Sequence, residues 1–453
     1  MGDNMVLQQQ TDARLWGTAE PGSKITAQVS WSVSEVTAKT DRNGNWELFV
    51  ATPAATFEPQ WVKINDSNST IQLNNVLIGE VWLCSGQSNM EMQLSGFSAS
   101  PVEGSLEEIA FSSQYKGVRY LAVKKSASVK PAADAEGVWM ECNPLTSPTF
   151  GAVAYFFASR LSKALNVPVG IINASWGGSV IEAWLNEEYL QTCEDIDLAD
   201  ASNSSINDMY KPMVMYNGMF KPASKYSVNG IIWYQGESNI SIAREYYADR
   251  LTAMAELWRS DIGRGDIPFF IIELAPYDYY DGQYGLQDEN GPRLREQQFL
   301  ATKTIPNSAI IGTNDLAYPH EAPNVHPSKK REIGERCCYM AMNMAYGYPT
   351  VQAKNPSFAS MTIDKDVVTV RFDNASTGFI AYDDIVGFEI AGEGKHWHKA
   401  DVKFGWGGTV QLSSREVPNP VAVRYCFHDF MIGNLKSIAG LPVIPFRTDN
   451  WDN

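Results

Sequence analysis

Short apolar runs separated by helix-length segments constrain this chain more than any other feature. Val81-Trp82-Leu83-Cys84, Val169-Gly170-Ile171-Ile172, Gly230-Ile231-Ile232-Trp233, Phe269-Phe270-Ile271-Ile272 and Ala309-Ile310-Ile311 are each long enough for a strand and too short for a buried helix. Arg119-Tyr120-Leu121-Ala122-Val123 reads as a further one. Their uninterrupted apolar character fits strands covered on both faces. Among them lie helix-like segments at 152–165, 246–258, 294–302 and 329–346. Strands alternating with helices of this length imply parallel βαβ units, hence a three-layer α/β/α core over about 78–350. In such a sheet the ligand site lies beyond the carboxyl ends of the strands, so the residues that follow each strand carry the function.

On either side the pattern changes. Over 1–77, alternating stretches such as Lys24-Ile25-Thr26-Ala27-Gln28-Val29 and Trp46-Glu47-Leu48-Phe49-Val50 are separated by turn-forming Glu20-Pro21-Gly22-Ser23 and Asp41-Arg42-Asn43-Gly44-Asn45. Such spacing predicts a small β-sandwich-like module. From 351 to 453, Val367–Phe372, Val421–Tyr425 and a Gly/Trp-rich segment at 404–410 predict a second β module. At 453 residues the chain is long enough for two or three domains, and the pattern divides it into three. The Asp/Gly/Tyr-rich stretch 276–292 is expected to be a mobile loop near the site.

The formal net charge of −16 argues against nucleic acid and against docking on anionic lipid. No apolar run reaches the length of a bilayer-spanning helix. The start, Met1-Gly2-Asp3-Asn4-Met5-Val6-Leu7, leads almost directly into a strand pattern with no basic, apolar leader. It reads as the start of a mature part from which an export signal has been lost. Six widely spread cysteines show no metal-type spacing and read mostly as small buried hydrophobes, with room for one disulfide.

Four strand ends carry chemistry. The first is Gly86-Gln87-Ser88-Asn89-Met90, where a serine after a buried strand can expose its Oγ, although a plain helix N-cap looks the same. The second is Trp176-Gly177-Gly178, whose glycines let the backbone approach a ligand, or simply make a tight turn. In Gln235-Gly236-Glu237-Ser238-Asn239 the amide of Gln235 can donate to an oxyanion and Glu237 can orient an imidazole; a polar capping loop is the plain reading. The fourth runs from Asn314-Asp315 through Pro323 to Val325-His326-Pro327 and holds two of the five histidines. Each signal is weak alone. Together, on successive carboxyl-end loops of one sheet, they form the parts of a serine hydrolase site.

This set resembles the sialate O-acetylesterase family of the SGNH (GDSL-like) hydrolases. The similarity runs from Asn4-Met5-Val6-Leu7-Gln8 and Trp16-Gly17-Thr18-Ala19 to Gly387-Phe388-Glu389-Ile390-Ala391-Gly392 and Gly440-Leu441-Pro442-Val443-Ile444-Pro445-Phe446-Arg447-Thr448-Asp449. The resemblance implies a periplasmic or secreted serine esterase that removes O-acetyl groups from carbohydrate and needs no metal or organic cofactor. It assigns Ser88 as nucleophile and His326 as base. The N–H groups of Ser88 and Gly178 (Gly177 is the alternative), with the Gln235 side chain, form its oxyanion hole.

The usual position of the supporting acid, three residues before the histidine, is Pro323. Glu237 and Asp315 are the remaining candidates, with Glu321 more distant, and a site without an acid is the third option. As substrate the resemblance favours 9-O-acetyl sialic acid over acetylated xylan or xyloglucan. Sialate recognition calls for an Arg; Arg293 and Arg295 are candidates, though the surface of a helix is their plainer place. A catalytically inactive carbohydrate-binding protein is the alternative from another class, and Ser88, His326 and Gln235 together speak against it.

Overall fold

In the computed structural model, residues 1–66, 68–279 and 288–451 are described. They divide into two compact units, Met1–Trp233 with Ala253–Phe269 and Tyr234–Thr252 with Phe270–Asn453. The fold is mixed α/β, with a mostly parallel central sheet and additional β modules.

The first unit opens with β1 (Val6–Gln8), β2 (Asp12–Thr18), β3 (Lys24–Val29), β4 (Ser32–Lys39), β5 (Asn45–Ala51) and β6 (Thr56–Asn65). The next strand, β7 (Thr70–Gly86), changes character along its length: six exposed or half-buried residues precede eleven fully buried ones. That change is the switch in pattern seen in the sequence near residue 77. It does not mark a break. β1 pairs in parallel with β7 from Val6 opposite Leu77 to Gln8 opposite Gly79, and β6 pairs antiparallel with it. The expected separation of 1–77 from the core sheet is therefore corrected, because one continuous strand serves both.

Further along, β8 (Val118–Ala122), β9 (Trp139–Glu141), β10 (Val169–Ser175) and β11 (Gly230–Tyr234) give the order β11-β7-β10-β8-β9. β10 is parallel to both β7 and β8. β9 pairs antiparallel with β8 and so departs from an all-parallel sheet. Helices form at Ser88–Glu91 (α1), Ala152–Leu165 (α2), Tyr247–Ile262 (α3), Asn290–Thr304 (α4) and Lys330–Met344 (α5). Trp184, Trp233 and Trp258 are fully buried and meet edge to face, with centroids 5.5–6.2 Å apart. Each such pair adds roughly 0.5–1.5 kcal/mol beyond area burial, so these indoles belong to the core.

In the second unit β12 (Phe269–Ile272) and β13 (Ser308–Ile311) are neighbours, joined beyond their ends by Glu273 N–H donating to Ile311 O at 3.0 Å. The C-terminal strands are β14 (Ser357–Asp364), β15 (Val367–Asp373), β16 (Phe388–Ala391), β17 (Trp397–Lys399), β18 (Asp401–Phe404), β19 (Thr409–Ser413), β20 (Ala422–Tyr425) and β21 (Phe446–Arg447). They make two antiparallel sheets, β14-β15-β19-β18 and β17-β16-β20-β21. Val368, Val370 and Leu412 of one sheet share an apolar core with Ile390, Val423 and Tyr425 of the other.

None of the six cysteines is joined in a disulfide, and five of them are buried. No described helix is long and apolar enough to cross a membrane. The stretch 276–292 lies partly outside the described residues, since 280–287 are not among them.

Candidate active site

In the first unit the site begins where β7 ends. Gly86 (φ +138°) turns the chain out of the sheet, and Ser88 is the first residue of α1. Ser88 is half-buried, and its hydroxyl makes no hydrogen bond among the described residues.

The neighbouring strand β10 delivers Trp176-Gly177-Gly178 to the same place. A Cβ on Gly177 would stand 3.3 Å from the Ser88 Cβ, so this backbone passes directly beside the serine. Gly177 donates its N–H to Glu91 Oε2 at 2.7 Å, while Glu91 Oε1 pairs with Lys125 Nζ at 2.7 Å. This carboxylate bridges α1 to the end of β10 and takes up the Gly177 donor. Gly178 sits in the left-handed region at φ +79°. A side chain there would be strained and would press on Met209 Sδ at 2.6 Å. The N–H groups of Ser88 and Gly178 have no acceptor among the described residues.

In the second unit Gln235 is fully buried and held on three sides. Its Oε1 accepts from Tyr247 Oη at 2.8 Å, its Nε2 donates to Asn239 Oδ1 at 2.8 Å, and its carbonyl accepts from Gln298 Nε2 at 3.0 Å.

The His loop is braced from within. Glu321 accepts from Tyr318 N–H at 2.8 Å and from Ser328 N–H at 2.9 Å, and Asn324 accepts from His326 N–H at 3.0 Å. Asp315 is clamped by both Arg336 nitrogens at 2.8 and 2.7 Å and by Lys436 Nζ at 2.7 Å. Burial alone would raise its pKa, but these two cations hold it below the ordinary range. Its charge is thus committed to structure.

Sequence reasoning missed Lys330, four residues after His326. Lys330 is fully buried, with Nζ 5.7 Å from the Tyr234 ring centroid. Burial lowers it to about 7, partly offset by the charges of Glu237 and Glu321. Burial, followed by the Lys330 charge, lowers His326 to about 4. Well above that value the imidazole is neutral, the form that a general base requires. Lys329-Lys330 at the start of a helix resembles any solvated pair, which is why the sequence hid it. Glu91 was hidden as well, because its partner lies 86 residues away.

With His326 as the base, the kcat/KM profile should have its acid limb near pH 4, falling tenfold per unit below it. Lys330→Met should move that limb to higher pH, since a nearby cation is removed while the burial that mainly lowers His326 stays. An unmoved limb in the folded variant would refute the coupling.

The two arginines considered for a substrate carboxylate are tied down. Arg295 is buried, not on the helix surface as expected, and donates to the carbonyls of Leu274, Ala275, His428 and Asp429 at 2.9–3.3 Å. Arg293 is bonded to Glu289 at 3.0 Å and to the Trp451 carbonyl at 3.5 Å. No group of acidic, His and Cys residues fit to hold a metal occurs among the described residues.

A carbohydrate esterase family, sialic acid-specific acetylesterase, matches residues 78–343. The sialate O-acetylesterase of Homo sapiens is 28% identical over 387 residues, covering 79% of this chain and 72% of that protein. Its Rattus norvegicus counterpart is 25% identical over 437 residues, covering 82% and 79%. A crystal structure of a carbohydrate acetylesterase from Xanthomonas citri is 31% identical, with a TM-score of 0.88 over 99% of this chain and 98% of its own. With the family match spanning more than half of its length, this chain belongs to the carbohydrate esterase family of sialic acid-specific acetylesterases and is a carbohydrate O-acetylesterase.

Proposed function

We propose that Ser88 and His326 carry out two-step acyl transfer on an O-acetylated sialic acid. His326 takes the proton of Ser88 Oγ as that oxygen attacks the acetyl carbonyl. The N–H groups of Ser88 and Gly178, with the Gln235 side chain, hold the oxyanion. His326 then protonates the departing sugar oxygen, and water, deprotonated by the same imidazole, releases acetate from the serine. The carrying observation is the bare backbone beside Ser88, where Gly177 is tied to Glu91 and the Gly178 donor is left for charge that develops during reaction. The depressed pKa of His326 supports its role. Among the acids, Glu237, whose charge acts on Lys330, is favoured over Asp315.

The sialate assignment draws on the family and on the named relatives. A neutral acetylated plant glycan is the second reading, favoured by the burial of Arg295 among backbone carbonyls, which removes it as a partner for a carboxylate. Acetate release from 9-O-acetyl sialic acid and from acetylated xylan or xyloglucan separates the two, and release from xylan or xyloglucan alone would overturn the first. Periplasmic or secreted location belongs to the proposal; finding the protein in the cytoplasmic fraction of its cell would overturn that part.

Gln235→Ala should lower kcat by roughly 10²–10³ with little change in KM, because an oxyanion donor acts on charge formed in the transition state. Tyr247→Phe, which leaves the bond from the amide to Asn239 in place, should be much milder. A raised KM with unchanged kcat would make Gln235 a substrate contact instead.

A further inference from the structure

A cleft of about 830 Å³ opens in the first unit, far from the serine. Its walls come from the entry to β8, the carboxyl end of α2, and strands β6 and β7. These are the amino ends of β8 and β10, whereas Ser88 follows the carboxyl end of β7. Leu77 lines the cleft and precedes Ser88 by eleven residues, roughly 35 Å of extended strand.

The charge of this cleft runs against that of the chain. Lys116, Lys163 and Arg119 line it with a single carboxylate, Glu141, in a protein carrying 36 basic and 52 acidic residues. Glu141 is already engaged by Asn75 Nδ2 at 2.7 Å and by Arg119 Nη2 at 3.5 Å. Lys116 and Lys163 are exposed and belong to no ion pair among the described residues. Behind them Arg119 is 4% exposed, and its buried Nε has no acceptor. The positive field is therefore left over and points into the cleft.

An aromatic surface accompanies it. Phe57 is 44% exposed although its ring lies against the backbone of Gly117, where a Cβ would come within 2.4 Å. One part of the ring is seated and the rest is offered to the cleft. Cations beside an open ring suit a ligand with carboxylates and C–H faces. A bare phosphate has no use for the ring, and a nucleic acid is repelled by the net charge of the molecule.

We propose that this cleft is a second, non-catalytic site that binds an acidic glycan, its carboxylates on Lys116 and Lys163 and a sugar face on Phe57. It would hold one part of a polymeric or branched substrate while acetyl groups are removed elsewhere. The proposal rests on membership of the carbohydrate esterase family and not on the catalytic assignments or on which acetylated sugar is cleaved.

The test uses the full chain and isothermal titration with oligo-α2,8-sialic acid free of acetyl groups, with xylohexaose as the neutral comparison. The wild type should bind the acidic oligomer, more weakly as salt rises, and Ser88→Ala should bind it equally well. Lys116→Glu with Lys163→Glu should weaken binding about tenfold or more, as should Phe57→Ala, while turnover of p-nitrophenyl acetate by the lysine variant stays unchanged. No binding to the wild type, equal binding of xylohexaose, or undiminished affinity in the folded lysine variant would each overturn the proposal. Absence of p-nitrophenyl acetate turnover in the wild type would instead refute the serine mechanism and leave the cleft untouched.

Discussion

Replacing Ser88 by Ala should abolish turnover while leaving the fold intact, with kcat falling on the order of 10⁵–10⁶-fold. The size follows from the logic of covalent catalysis. Without the nucleophile, only binding and oxyanion stabilisation remain, and these give a small residue of the full rate enhancement. Folding should be unaffected, because the Ser88 hydroxyl is half-buried and makes no hydrogen bond among the described residues. The start of α1 is secured by backbone bonds from Met90 and Glu91 N–H to the Gln87 carbonyl at 3.0 and 2.9 Å. Acetate release and turnover of p-nitrophenyl acetate, alongside circular dichroism, give the measurement. Near-normal turnover in the variant would remove Ser88 from the mechanism.

The second large effect separates the two carboxylates. Glu237→Gln should cut kcat by roughly 10³-fold or more without unfolding the protein, as loss of a supporting carboxylate does elsewhere. Asp315→Asn should do the opposite, leaving kcat nearly intact and lowering stability by roughly 3 kcal/mol. It would strip the charge that neutralises Arg336 and Lys436, and an uncompensated buried cation is costly. Urea unfolding and kcat, measured on both variants, read out the two effects. If the kinetic effects came out reversed in folded proteins, Asp315 would be the acid. If neither changed kcat, His326 would act without one.

Most of the architecture was legible because its signal is local. The segment 152–165 read as helix is α2 residue for residue, since fourteen residues of small and apolar side chains bounded by Gly151 and Asn166 leave little choice. The buried strands β10, β11, β12 and β13 stand where the apolar runs are. Two features were not legible. β9 is three residues long, too short for an alternation to register. The joining of β1 to β7 depends on a pairing across about seventy residues, which no local pattern encodes.

The proposed site divides in the same way. Ser88, Gly178, Gln235 and His326 announce themselves by following strands. Asp315 also follows one, yet it is occupied by Arg336 and by Lys436, more than a hundred residues downstream. Lys330 was hidden because burial, which lowers it to about 7, is a property of the fold and not of the segment Pro327-Ser328-Lys329-Lys330.

The continuity of β7 limits how this protein can be trimmed. The family's boundary at residue 78 invites a shortened chain that starts there, but that cut falls within a hydrogen-bonded strand. It would discard β1, whose N–H and C=O groups pair with β7 from Leu77 to Gly79. Gln8 and Gln9 would go too, and both donate to the buried Glu80 at 3.0 and 2.6 Å. The new terminus would present unpaired strand edge and a carboxylate stripped of its donors, one strand-length from the nucleophile. Such a chain should self-associate through that edge, and a loss of activity in it would report on aggregation before it reported on chemistry.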